Sequence, residues 1–148
     1  MGVLSQDEYL ESARVLDRIV REAGGQTVLL MLWGSKYDAR VITSEQARVS
    51  REIGDALNAQ VVPLGLAWRL VRQADPEIRL YEPGSDAASL HGSYLNAAVL
   101  LAALMGVNPA ESDFLPLDAD GKPLMTEDDA VLLRDIAWEA VMAYNSEQ

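Results

Sequence analysis

TVLLMLW, residues 27–33, is the stretch on which the reading of the fold turns. It is apolar from end to end and shows no alternation, the pattern of a strand buried on both faces of a parallel sheet. A second, shorter run, QVVPL at residues 60–64, reads as another strand, with Pro63 near its end because proline has no N–H to give a ladder. Between the two, Thr43 and Gln46 form a capping box, and Ala47, Ile53 and Leu57 give the helix behind it a buried stripe. Strand, helix and strand joined by short loops make a βαβ unit, of right-handed sense by the general rule.

The rest of the chain arranges itself around that unit. Upstream, Ser5-Gln6-Asp7-Glu8 is a second capping box; Tyr9, Ala13, Leu16 and Val20 recur at helical spacing until Gly24-Gly25 stops the helix. Residues 34–39 read as a loop after the first strand. Downstream, Gly65 opens a short helix holding Trp68, Leu70 and Val71, and residues 78–81 read as a very short third strand or an extended loop. Residues 93–105 form a helix apolar on nearly every side, which calls for cover all round. Residues 108–124, rich in Pro, Asp and Gly, form a loop. Thr126 and Asp129 then cap a last helix with an inner face of Ala130, Leu133, Ala137 and Ala140. The expectation is one α/β domain over residues 1–148: a short parallel sheet packed by four to five helices. Two strands alone leave both sheet edges open, so the sheet looks incomplete.

Composition narrows the function. A formal charge of −11 argues against nucleic acid and anionic membrane surfaces as partners. No cysteine is present, which removes disulfides, thiolate nucleophiles and cysteine-ligated metals. The first residues, MGVLSQDEYL, lack the basic and apolar regions of a signal peptide, and Gln6 breaks the myristoylation pattern. The most apolar run, residues 94–107, is too short to span a bilayer. The chain is therefore expected to be soluble and, as written, cytoplasmic. Phosphate-loop, dinucleotide and His-based metal spacings are all missing, so no cofactor and no metal are expected. Asp118-Ala-Asp-Gly121 lacks the further ligands of a calcium loop and reads as a surface turn.

The chemistry-bearing residues gather in EPGSDAASLHGSYL, residues 82–95. It holds the chain's one histidine, His91, with Asp86 before it and Ser89 between. An acid and an imidazole in one loop suit general acid–base work, yet a triad also needs a placed nucleophile and oxyanion donors. Ser35, just past the first strand, is the other hydroxyl candidate, without the Gly-x-Ser-x-Gly elbow. Trp33, at that strand's C-terminal end, and Ser89 are candidates to line a pocket.

Taken together, TVLLMLWGSKYD, VVPLGLAWRLVRQADPEIRLYE and SLHGSYLNAAVLLAALMG resemble the C-terminal half of SGNH/GDSL-type hydrolases. The similarity is to the bacterial branch with an LYxxDGxHPSxxGSYLAA-like block, and it runs from about Ser5 to Met105. The resemblance implies a flavodoxin-like α/β sandwich and hydrolysis of small esters or acylated sugars. It also implies a Ser block after the first strand of the family and a late Asp-x-x-His pair. Aligned on Leu80-Tyr81 and Gly92-Ser93-Tyr94-Leu95, the family's acid falls at Gly84 and its base at Ala87. Asp86 lies between those positions, His91 lies beyond them, and the Ser block falls upstream of residue 1. Three accounts fit: a fragment of a longer gene, a reduced non-catalytic relative, or a drifted or engineered replacement. The resulting expectation is a hydrolase-like domain inactive as this chain. Two alternatives stand beside it: a binding or oligomerisation module whose sheet is completed by a second copy or by a missing N-terminal half, and a weak hydrolase using Asp86 and His91.

Overall fold

The computed structural model describes residues 6–35 and 44–146. Both upstream capping-box residues, Ser5 and Thr43, and most of the 34–39 loop lie outside the described residues. Among the described residues, five α-helices and two strands follow one another as α1 (Gln6–Glu22), β1 (Val28–Leu30), α2 (Ser44–Leu57), β2 (Gln60–Val62), α3 (Leu64–Ala74), α4 (Leu90–Met105) and α5 (Glu127–Ser146). A single 3-10 turn, Pro109–Glu111, interrupts the loop between α4 and α5. Residues 78–81 are not a strand; Tyr81 makes one antiparallel bridge to Ala88.

β1 and β2 pair in parallel with Leu29 opposite Val61. The ladder extends past both strands: the Met31 N–H donates to the Val62 carbonyl at 3.0 Å, and the Gly65 N–H donates to the Met31 carbonyl at 2.8 Å. Paired residues share a face, so Val28 and Leu30 lie on the side of Gln60 and Val62. Helix α4 packs over β2 on that side, burying Val62 completely, and the Gln60 amide donates to the Ala103 carbonyl of α4. Nothing described covers β1 there. Val28, Leu30 and Leu32 remain 39%, 49% and 58% exposed, which corrects the expectation of a strand buried on both faces.

The core is a three-helix layer against β2. Leu64, Ala67, Trp68 and Val71 of α3 pack with Leu95, Ala98, Val99 and Ala102 of α4. Ala130, Leu133, Ala137 and Ala140 of α5 are all fully buried, as their spacing predicts, and these small side chains let α5 lie close to α4. Helix α4 is not covered all round: Leu104 and Met105 at its C-terminal end are open to solvent. Its ends are conventional, with the Ser89 hydroxyl accepting from the Gly92 N–H and Gly106 closing it at φ 65°. The Asp129 N–H donates to the Thr126 hydroxyl at 3.1 Å, so the sequence-read cap of α5 forms.

Beyond the helices, two features fix the loops. Arg134 of α5 is buried and holds no carboxylate: it donates to the Tyr94 hydroxyl at 2.8 Å and to the Phe114 carbonyl at 3.2 Å, pinning the 108–124 loop across α4 and α5. Asp118 accepts from the Asp120 and Lys122 N–H groups, both at 2.9 Å, which makes residues 118–121 a self-bonded turn.

Helix α1 is the least embedded element. It ends in a Schellman motif, with the Gly25 N–H reaching the Val20 carbonyl and the Gly24 N–H reaching Arg21. Its polar side ties it down. Asp17 accepts from the Arg21 guanidinium at 2.8 Å and the Thr27 hydroxyl at 2.6 Å, while Arg21 also donates to the Leu57 carbonyl at the end of α2 at 2.7 Å. Of its apolar stripe, Ala13 and Val20 are half-buried, but Tyr9 is exposed and Leu16 is 64% exposed, again against expectation. Periodicity located the stripe; it could not say whether this chain supplies a cover.

Two outcomes are expected. A Cβ on Gly92 would stand 2.8 Å from the Trp68 ring and overlap the Leu80 carbonyl oxygen. Gly92→Ala should therefore cost about 1–3 kcal/mol in urea titration, the usual range for overpacking, despite alanine's better helix propensity. The Arg21 and Thr27 hydrogen bonds hold the Asp17 carboxyl below its usual range. A lowered folded-state value means stabilisation that is present above the ordinary carboxylate range and lost as pH falls through the lowered value. The melting temperature of Asp17→Asn should thus fall below that of the parent chain at neutral pH, with the gap closing in acid, read by circular dichroism across pH.

Candidate functional site

Trp33 follows β1 and lies on α3: its ring stacks on Trp68 with centroids 4.3 Å apart and planes 4° from parallel. Tyr81 meets Trp68 edge-on at 4.8 Å. Each polar tip of this aromatic group then finds a partner. The Trp33 indole donates to the Asp86 carbonyl at 3.0 Å, the Trp68 indole to the Asn96 side chain at 2.7 Å, and the Tyr81 hydroxyl to the Gly34 carbonyl at 2.7 Å. The loop after β1 and the loop before α4 are thereby joined at the C-terminal end of the sheet, where α/β proteins place their sites.

Residues 82–95 sit on this joint. Glu82-Pro83-Gly84-Ser85 is a turn closed by the Ser85 N–H on the Glu82 carbonyl, with proline second and Gly84 third at φ +77°. That is the composition of a type II turn, which reserves its third place for a residue tolerating positive φ. Ala87 is exposed, and its backbone is fully engaged: its N–H donates to the Ser85 hydroxyl and its carbonyl accepts from the Glu82 N–H. Both positions to which the resemblance assigns the family's acid and base are thus parts of a tight connection.

Asp86 and Ser35 do come together across 51 residues, the Ser35 hydroxyl donating to the Asp86 carboxylate at 3.0 Å. His91 goes elsewhere. Its Nε2 stands 3.2 Å from the Asp129 carboxylate on α5, the two side chains being 25% and 31% exposed. Ser89 is committed too: its hydroxyl donates to the Arg79 carbonyl at 2.6 Å and accepts from Gly92. His91, Asp129, Ser89, Arg79, Glu82 and Asp75 line an open cleft of about 560 Å³. Trp33 is half-buried against Trp68 and is not among the residues lining this cleft.

Chemically, the cleft offers an imidazole oriented by a carboxylate, without a hydroxyl free to be activated. The joint offers a hydroxyl held directly by a carboxylate, without an imidazole. Among the described residues, no group of three or more His, Asp or Glu is placed to hold a metal ion, and no helix is long and apolar enough to cross a membrane. Sequence reasoning missed Asp129 as the histidine's partner. Its visible role was as a helix cap, and no local signal links residue 91 to residue 129. It also missed Tyr81 and Asn96, whose roles depend on where Trp68 lies.

No protein-family model, curated protein or solved structure matches this chain.

Burial raises the Tyr81 phenol above its ordinary range; the Arg72 guanidinium, 6.0 Å above the ring, opposes this and the Asp86 carboxylate reinforces it. A raised value gives stabilisation that is whole below the phenol's ordinary range and is lost as pH rises through the raised value. The parent chain should accordingly lose melting temperature in strong alkali. Tyr81→Phe should be about 1 kcal/mol less stable at neutral pH through the lost bond to Gly34, and should show a weaker alkaline decline.

Proposed function

We propose that this chain is an SGNH hydrolase-like domain that has given up hydrolysis and acts by association. Its two parallel strands stand for the later part of a flavodoxin-like sheet, and its loop before α4 stands where the family keeps acid and base. The observation that carries the non-catalytic reading is the separation of partners: Asp86 takes Ser35 and Trp33, whereas His91 takes Asp129. A serine hydroxyl becomes a nucleophile when an imidazole removes its proton and a carboxylate orients that imidazole. Here the hydroxyl and the imidazole have different carboxylates. A carboxylate alone is too weak a base at neutral pH to activate a serine. Association is favoured by the β1 edge, which no described residue pairs, and by Val28, Leu30 and Leu32, an apolar row left exposed.

Short-chain p-nitrophenyl esters and an acetylated sugar test this reading directly. The purified chain is expected to release product no faster than buffer from pH 5 to 9. Turnover that vanishes in Ser35→Ala or His91→Ala would overturn it, and would favour the alternative of a weak hydrolase built on Asp86 and His91.

A further inference from the structure

The geometry points to a symmetric homodimer in which β1 pairs antiparallel with β1 of a second copy, giving a four-stranded sheet in the order β2–β1–β1–β2. This inference rests on the association half of the proposed function and names the partner. In the parallel ladder, Met31 exchanges its N–H and carbonyl with the β2 side. Peptide groups alternate in direction along a strand, so Leu29 shares that side and Val28, Leu30 and Leu32 turn theirs to the open edge. Among the described residues these outward groups have no partner.

A second copy satisfies them with a register that is its own mirror. Under a two-fold axis through Leu30, perpendicular to the sheet, Leu30 opposes Leu30 and Val28 opposes Leu32. Outward-facing residues of both strands then form hydrogen-bonded pairs throughout. The same axis puts all six of these side chains on one face, the face α4 leaves bare beside β2. Half-exposed leucines and a valine become one apolar row. An unrelated strand could use the backbone edge, but the matched apolar residues on both sides of the centre are a property of this strand against itself.

Helix α1 carries a second uncovered apolar stripe, set among charged residues. Asp7, Glu8 and Glu11 occupy its start and Arg14 and Arg18 follow, with Asp17 and Arg21 paired to each other. Val15, Leu16 and Ile19 are exposed among them. The overall charge of −11 opposes the encounter, and at physiological ionic strength that repulsion is screened beyond the Debye length of about 8 Å.

Light scattering and a cysteine cross-link test the pairing. The chain is expected to elute at twice its 16.2 kDa mass at sub-millimolar concentration and to dissociate on dilution. Leu30→Lys, at an exposed position, should elute at the single mass with an unchanged circular dichroism spectrum, while Leu104→Lys should remain dimeric. Because the chain has no cysteine, Leu30→Cys is a unique reporter. Facing Cα atoms in such a pair lie about 5.5 Å apart, within disulfide range. Oxidation should give a covalent dimer in high yield from Leu30→Cys and not from Leu104→Cys. A parent chain that stays monomeric at the highest concentration, or a dimer untouched by Leu30→Lys, would overturn the proposal. Either result would leave the ester assay, and with it the non-catalytic reading, standing on its own.

Discussion

The contact on which the rest depends is the parallel stack of Trp33 on Trp68. Without it the end of β1 is held to α3 only by the backbone bond from the Gly65 N–H to the Met31 carbonyl. The indole N–H of Trp33 would not reach Asp86, and Tyr81 would have no ring to abut. Aromatic pairs in such offset contact are worth about 0.5–1.5 kcal/mol beyond the area they bury, which is modest. Their larger effect here is positional. Two flat surfaces fix a distance and a plane, and from that plane the two indole N–H groups reach Asp86 and Asn96. Gly92 completes the arrangement by letting α4 approach the Trp68 ring and the Leu80 backbone more closely than any side chain would allow.

Charge is handled by geometry in the same region. The one imidazole and the nearest acid in sequence are separated because Asp86 lies in the loop before α4 and His91 in the first turn of that helix. Asp86 is directed back to the strand end, while His91, in the first turn of α4, is directed to the first turn of α5. Sequence proximity of an acid and a histidine is thus a weak guide to their meeting. Both groups are tied into the framework, and neither is placed to act on the other.

Much of the framework was legible in the sequence because its signals are local. The two apolar runs, the helix stripe of Ile53 and Leu57, the cap at Thr126 and Asp129, and the alanine face of α5 each declare themselves within a few residues. What could not be read is pairing over distance: Trp33 with Trp68, Ser35 with Asp86, His91 with Asp129. Cover was equally hidden. The pattern of α1 and β1 states which residues are apolar, and burial then depends on whether something lies above them. Leu16 and Leu30 are apolar at the right spacing and still face solvent, because the elements that would cover them are not contributed by the described part of this chain.

The turn at Pro83-Gly84 carries a consequence for descent. If an ancestor held its catalytic acid at position 84, regaining it is no longer a matter of one codon. An L-residue held at φ +77° costs roughly 1–2 kcal/mol, somewhat less for aspartate, and the turn that imposes this angle is set by Pro83 and locked by the Glu82 and Ala87 backbones. The connection would have to be rebuilt before an acid there was of any use, and until then each intermediate would be less stable and no more active. A change to glycine at such a position is easily made and hard to reverse, because the backbone then settles at an angle that other residues resist.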